Sequence, residues 1–90
     1  MKRLYVRVSG RVQGVGFRFF CESLAQTLGV SGWVRNCPDR DVELEAQAEP
    51  ALLEEFIQKI KQGFPGTTVI NILTQERPVL EEESGFEIRF

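Results

Sequence analysis

The residues of this chain with the clearest potential for chemistry lie in the segment GRVQGVGFR, from Gly10 to Arg18. Three glycines, Gly10, Gly14 and Gly16, interrupt this segment directly before a stretch with helical periodicity. Glycine adopts positive φ without strain, so successive backbone N–H groups can face one concave surface. The N-terminus of the following helix adds unpaired N–H groups and a partial positive charge. This combination predicts a binding site for an oxyanion such as phosphate.

Arg18, in the first turn of the predicted helix, is the side chain best placed to complete such a site. Its planar guanidinium matches two phosphate oxygens in a bidentate pair, whereas a lysine would act only as a point charge. A cation at a helix start opposes the helix dipole at a cost of about 0.3–1 kcal/mol. This cost indicates that Arg18 is placed there to bind a ligand. For the isolated residue, an arginine that points into water is an equal alternative. The segment does not fit a Walker A loop or a Rossmann fingerprint.

Hydrophobic spacing predicts the elements on either side of this loop. Leu4, Val6 and Val8 alternate with polar residues, as in a strand with one face on a core. The next segment has apolar residues at helical spacing and Gly29 as its C-terminal cap. Its apolar stripe consists of Phe17, Phe20, Cys21, Leu24, Ala25 and Leu28. The glycine-rich segment is therefore predicted to be a strand-to-helix loop.

The rest of the chain is predicted to form four more strands and a second helix. The strands are Ser31–Asn36, Val42–Ala48, Thr67–Gln75 and a short last one from Phe86 to Phe90. The helix begins at Pro50 and ends at Gly63, with an apolar stripe of Leu52, Leu53, Phe56, Ile57 and Ile60. The run of glutamates from Glu81 to Glu83 is interpreted as a solvated loop.

This order, βαββαβ with an extra C-terminal strand, predicts an α+β fold, a two-layer α/β sandwich of the ferredoxin-like type. Its sheet is expected to be mainly antiparallel, with two helices on one face and solvent on the other. A chain of 90 residues can bury one modest core. We therefore predict a single domain over residues 1–90.

Composition excludes several classes of function. The net charge is −2, so the chain has no overall attraction for nucleic acids or acidic membranes, and any anion must be held locally. There is no histidine, the usual general base and metal ligand, and we expect neither a metal nor a cofactor. The N-terminal segment lacks a signal peptide or membrane span, which predicts a cytoplasmic protein. Whether Cys21 and Cys37 pair stays open.

The segment GRVQGVGFR at Gly10–Arg18, followed by GWVRN at Gly32–Asn36, resembles the acylphosphatase family in order and spacing. The resemblance covers nearly the whole chain. It implies an enzyme that hydrolyses the carboxyl–phosphate anhydride of a small-molecule acyl phosphate to a carboxylate and inorganic phosphate. It also leads us to expect a monomer that binds neither nucleic acid nor membrane.

The resemblance implies roles for particular residues. Arg18 matches the arginine that binds phosphate, and Asn36 matches the asparagine that positions the attacking water. The predicted phosphate-binding residues are Gly10, Arg11, Val12, Gln13, Gly14, Val15, Gly16, Phe17 and Arg18. The Gln13 side chain is polar enough to contact phosphate, but a loop residue that faces solvent is favoured slightly. The chemistry agrees, because a leaving carboxylate of low pKa needs no proton and an amide can hold water by both donor and acceptor. On spacing alone, Asn36 also fits a turn residue that closes the second strand.

Three positions depart from the family pattern: Cys37 directly after Asn36, Arg40 in the hairpin turn, and Ala48 at the end of the third strand. Arg40 occupies a position that often holds glycine, and a non-glycine residue resists positive φ, which leaves the turn type open.

Two rival functions stay open at this point. Sheets of this topology also occur in RNA-binding modules that stack bases on exposed strand aromatics, and a phosphate-binding domain without turnover is possible. The strands offer few aromatics for RNA, since Trp33 is favoured as a packing residue. Phe19 lies off the apolar stripe and either borders the acyl group or is simply exposed.

Overall fold

The computed structural model describes all residues from Met1 to Phe90. The elements, in chain order, are β1 (Lys2–Arg11), α1 (Phe17–Leu28), β2 (Ser31–Asn36), β3 (Val42–Ala48), α2 (Pro50–Gln62), β4 (Thr68–Arg77) and β5 (Phe86–Arg89). The predicted ferredoxin-like α+β fold is confirmed. Neither helix is long and apolar enough to cross a membrane.

The five strands form one sheet in the order β4-β1-β3-β2-β5. Three of the four strand pairings are antiparallel, and only β5 runs parallel to its neighbour β2. The long central strands β1 and β3 therefore carry the pairings that hold the two halves of the fold together.

The core lies between the sheet and the two helices. Val6 and Val8 of β1 and Leu44 of β3 are fully buried there, as their alternation predicts. The predicted stripe of α1 packs against the same cluster. The predicted apolar stripe of α2 is wrong at one position. Leu52 is 38% exposed, because the buried face of α2 is formed by Leu53, Phe56, Ile57 and Ile60.

The strand register brings three strand ends to one edge of the sheet. Val8 of β1 and Asn36 of β2 both lie opposite Val42, the first residue of β3. Arg89 of β5 lies beside Arg35 of β2. The loop after β1, the end of β2 and the end of β5 therefore meet at this edge.

The face of the sheet opposite the helices is not simply open to solvent, as the sequence led us to expect. Arg3 is only 1% exposed on this face. Its guanidinium donates to Glu45 and to Glu83, each at 2.6 Å. Gln47 exchanges two hydrogen bonds with the backbone of Leu80. The chain between β4 and β5 thus covers part of this face, and Glu83 is a half-buried partner of Arg3 and not part of a solvated run.

We expect the Arg3 network to stabilise the fold. Arg3→Met keeps much of the side-chain volume but leaves two carboxylates without their cation, so it should lower the free energy of unfolding by about 2–4 kcal/mol. Urea denaturation followed by far-UV circular dichroism measures this loss. Arg35→Ala, which removes a half-exposed arginine paired with Glu43, is the control and should cost no more than about 1 kcal/mol. Equal losses in the two variants would show that burial of Arg3 adds nothing.

Candidate active site

A cavity of about 220 Å³ opens at the edge of the sheet where the three strand ends meet. It is lined by Val12, Gly14, Gly16, Phe17, Arg18, Phe19 and Asn36. The strand-to-helix loop, the first turn of α1 and the end of β2 thus share one concave surface. Two segments that are separate in the sequence, the glycine-rich loop and Asn36, are brought together by the fold.

The loop presents backbone donors without partners. Gly14 and Gly16 have φ of 73° and 84°, the left-handed conformation that glycine permits. Gly16 is the N-cap of α1, no side chain caps the helix, and its first turn contains no acidic residue. The N–H groups of residues 13–16 donate no hydrogen bond to any protein group. The start of α1 therefore faces the cavity with unpaired N–H groups and the positive end of its dipole.

Gly10 and Arg11 lie in β1, outside the lining of the cavity. Gly10 has φ of 130° at an irregularity in the pairing with β4. A Cβ at this position would lie 2.0 Å from the backbone oxygen of Thr68. The glycine is thus required by the close approach of β4. Arg11 is exposed and pairs across the strands with Thr68.

Gln13 and Val15, which the resemblance places among the phosphate-binding residues, also point away from the cavity. Val15 is half-buried and packs against the hydrophobic core. The side-chain amide of Gln13 donates to the backbone oxygens of Cys37, at 2.9 Å, and Asp41, at 2.8 Å. Only the backbone N–H groups of Gln13 and Val15 are free for a ligand.

Arg18 is half-buried at the cavity and forms no ion pair with any carboxylate. Its Nη1 donates to the backbone oxygen of Arg89 at 3.2 Å. Its guanidinium carbon lies 4.7 Å from the centre of the Phe90 ring. These contacts hold the side chain without neutralising its charge. The cation therefore remains available to an anion in the cavity.

Asn36 is exposed at the end of β2, and its side chain makes no hydrogen bond within the protein. The residues after it form a tight hairpin turn in which the Cys37 N–H donates to the oxygen of Asp41 at 2.8 Å. Arg40 adopts φ of 77° in this turn, so the non-glycine residue does take the left-handed conformation. The Asp41 backbone N–H, together with Arg7, holds the pKa of Asp39 below its usual value.

The two cysteines are free and buried. Cys21 belongs to the core, and burial raises the pKa of its thiol. Burial, assisted by the nearby Glu43, also raises the pKa of Cys37. A raised pKa keeps both groups as neutral thiols at pH 7, so neither has the character of a nucleophile.

Sequence reasoning missed the part that β5 plays in the site. Nothing in the spacing of Arg89 and Phe90 signals a contact with Arg18, because that contact depends on the parallel pairing of β5 with β2. Phe19 is 63% exposed and lines the cavity. The sequence signal for this exposure was the position of Phe19 off the apolar stripe of α1.

The fold and the site define a ferredoxin-like α+β domain with a loop of unpaired backbone donors at a helix start. Residues 4–88 match the acylphosphatase family. The chain is 42% identical to the acylphosphatase of Clostridium acetobutylicum over 88 residues, which are 98% of this chain and 97% of that protein. It therefore belongs to the acylphosphatase family, and hydrolysis of acyl phosphates to carboxylate and phosphate is the activity that this membership supports.

Solved structures agree with this assignment. The crystal structure of the acylphosphatase from Bacillus subtilis superposes with a TM-score of 0.95 at 37% identity, over 100% of both chains. A full-length HypF, crystallised in its phosphate- and nucleotide-bound form, is more distant. It has a TM-score of 0.85 and 29% identity over 99% of this chain, which spans 12% of that protein. The likeness to whole acylphosphatases is thus greater than the likeness to a segment of a longer protein.

Two glycine substitutions should separate packing from conformational strain. Gly10→Ala places a methyl group against the backbone of β4 and should lower the free energy of unfolding by about 2–4 kcal/mol. Gly14→Ala meets nothing within 4 Å. It should cost only about 1–2 kcal/mol, the penalty of a left-handed alanine. Urea denaturation measures both, and equal losses would contradict the packing role of Gly10.

Proposed function

We propose that the N–H groups of the loop and of the first turn of α1, together with Arg18, bind the phosphoryl group, and that Asn36 positions the attacking water. The proposal is supported above all by one observation. The unpaired N–H groups, the uncompensated guanidinium and the free amide of Asn36 all border the same cavity. A dianion in this cavity would receive hydrogen bonds from groups that otherwise have no protein partner.

The reaction requires little beyond orientation and charge stabilisation. The oxygen of water forms a bond to phosphorus as the bond between phosphorus and the acyl oxygen breaks. The electron pair of the broken bond leaves with the carboxylate, whose low pKa makes a general acid unnecessary. An acyl phosphate dianion and water thus give a carboxylate and dihydrogen phosphate. Preorganised N–H groups and Arg18 would stabilise the charge on the phosphoryl oxygens throughout.

Asn36 suits the role of holding water. Its carboxamide can accept a hydrogen bond from the water and donate another to it or to a phosphate oxygen. It is too weak a base to remove a proton permanently, so the proton of the water is expected to pass to a phosphate oxygen. The free state of this side chain fits such a role, because no protein group competes for the amide.

The acyl group would lie at the mouth of the cavity beside Phe19. A volume of about 220 Å³ accommodates a phosphoryl group with its water, and the exposed Phe19 ring lies on the lining. A flat aromatic acyl group could stack on this ring, whereas an acetyl group would cover little of it.

We also propose that the protein acts as a single-domain monomer in the cytoplasm, without a metal ion or other cofactor. The groups assigned to the reaction, the loop N–H groups, Arg18 and Asn36, lie together within a single chain, so the proposed chemistry requires no residue from a second copy. On the sheet face, Tyr5 and Trp33 are covered by arginine side chains, which leaves little aromatic surface for RNA.

Activity on benzoyl phosphate in the presence of a chelator tests the roles of Arg18 and Asn36. Arg18→Ala and Asn36→Ala should each lower kcat/KM by about 10²–10³, as the loss of a preorganised group usually does. Arg18→Ala should also weaken inhibition by inorganic phosphate, whereas Asn36→Ala should leave that inhibition nearly unchanged.

Arg77→Ala and Asn71→Ala remove the same side-chain types from the exposed edge strand β4 and serve as controls. They should retain activity within about two-fold, as surface substitutions usually do. Parent-like activity of both Arg18→Ala and Asn36→Ala would overturn the assignment of the site.

Phe19→Ala tests the position of the acyl group. We expect kcat/KM for benzoyl phosphate to fall about 3- to 10-fold through loss of a stacking contact of about 0.5–1.5 kcal/mol. The value for acetyl phosphate should change by less than about two-fold, since that acyl group has little surface to lose. Equal losses for the two substrates would show that Phe19 does not contact the acyl group.

A further inference from the structure

Gln13 is the one polar side chain of the glycine-rich loop that contacts the segment carrying Asn36. It points away from the cavity, so it is not placed to bind the phosphoryl group. Its Nε2 lies 2.9 Å from the oxygen of Cys37 and 2.8 Å from the oxygen of Asp41. Each of the two amide hydrogens thus has a backbone acceptor, and the Gln13 amide has no further donor to offer.

These two acceptors are the carbonyl groups that close the hairpin turn after Asn36. The oxygen of Asp41 also accepts from the Cys37 N–H, and the oxygen of Cys37 also accepts from the Arg40 N–H at 3.2 Å. The Gln13 amide therefore joins both sides of the turn at its base. It links the turn to the loop that carries the unpaired N–H groups.

The side chain of Asn36 has no partner of its own, so its placement depends on the backbone at the end of β2, where Asn36 pairs with Val42, and on the turn that follows. The side chain is exposed and has no hydrogen bond within the protein. Its position relative to the loop is set by the backbone, and the next residue, Cys37, is buried and tied to Gln13. A shift of the turn by a fraction of an ångström would move the amide of Asn36 away from the line of attack.

We infer that Gln13 is a positioning residue, which holds Asn36 in register with the phosphate-binding loop and so affects the placement of water but not the binding of phosphate. This inference rests on the proposed role of Asn36. It assigns to the Gln13 side chain a function different from the phosphate contact that the resemblance implies and from a merely solvent-facing position.

A double-mutant cycle tests the inference. Gln13→Met keeps the length of the side chain and removes the donor. We expect it to lower kcat for benzoyl phosphate about 10- to 100-fold, the scale of effect that a small misplacement has. The inhibition constant of inorganic phosphate should change by less than about two-fold, because the loop N–H groups and Arg18 remain.

In the Asn36→Ala background, Gln13→Met should lower kcat by less than about two-fold, because the residue through which Gln13 acts is already gone. Equal effects in the two backgrounds would overturn the inference. So would a large rise in the inhibition constant of phosphate, which would indicate a direct contribution to phosphate binding. Parent-like activity of Asn36→Ala alone would refute the proposed function itself, and this outcome is visible separately in the same cycle.

Asp39→Ala is the matched control. The carboxylate of Asp39 pairs with Arg7 and accepts a hydrogen bond from the Asp41 N–H in the same turn, but it does not contact the loop. It should leave kcat within about two-fold of the parent, as surface substitutions usually do. A loss as large as that of Gln13→Met would show that general loosening of the turn, and not the link to the loop, is responsible.

Thermal unfolding of each variant establishes that the kinetics refer to folded protein. If Gln13→Met proves too unstable to assay, Gln13→Leu offers a second uncharged variant. It also removes the donor, and the same dependence on Asn36 is expected.

Discussion

The structure depends on a helix that begins without a cap. Gly16 supplies no side-chain acceptor, the first turn of α1 contains no acidic residue, and the N–H groups of residues 13–16 have no protein partner. Unpaired backbone donors are tolerated only where water or a ligand can reach them, so this helix start has to lie at the surface. A ligand at this helix start would also explain why Arg18 lies in the first turn, where the helix dipole disfavours a cation. Under the proposed function, Arg18 and the dipole would act on the same anion, and binding of that anion would offset their mutual repulsion.

The sheet brings the other residues of the site to the uncapped start of α1. Because β1 and β2 both pair with β3 in antiparallel fashion, their C-terminal ends lie at the same edge. The parallel addition of β5 next to β2 brings a third strand end there and supports the guanidinium of Arg18. The contributions come from strand ends, from a helix start and from the short loop between β1 and α1, so the geometry of the site follows the rigidity of the sheet. The Gln13 link then adds to the pairs of Arg7 with Asp39 and Asp41 in holding the hairpin turn after β2.

Much of this could be predicted from local pattern. The spacing of glycines before a helical stripe indicated the loop, and alternation indicated the strands, because both signals are properties of neighbouring residues. What could not be predicted depends on contacts distant in sequence. The need for glycine at position 10 comes from the backbone of Thr68, and Arg3 finds its partner Glu83 from the far end of the chain. Gln13 is polar and lies in the loop, so its side chain was expected either to contact phosphate or to face solvent. Its partners are visible only once the sheet, with β3 between β1 and β2, brings the turn between β2 and β3 next to the loop after β1.

The shape of the cavity indicates which part of substrate selectivity comes from the leaving group and which part comes from contact with the acyl group. At about 220 Å³, the cavity has room for a phosphoryl group with its water, and under the proposed function the acyl group would lie outside it. An ordinary phosphate ester would fit the same base, but its alkoxide leaving group requires a proton, and no cavity-lining side chain is an acid that could supply one. An acyl phosphate requires none, since its carboxylate leaves unassisted. A site with the proposed roles would therefore select its substrate class mainly by the leaving group that it can release. The single exposed ring of Phe19 can then adjust preference among acyl groups without affecting the reaction itself.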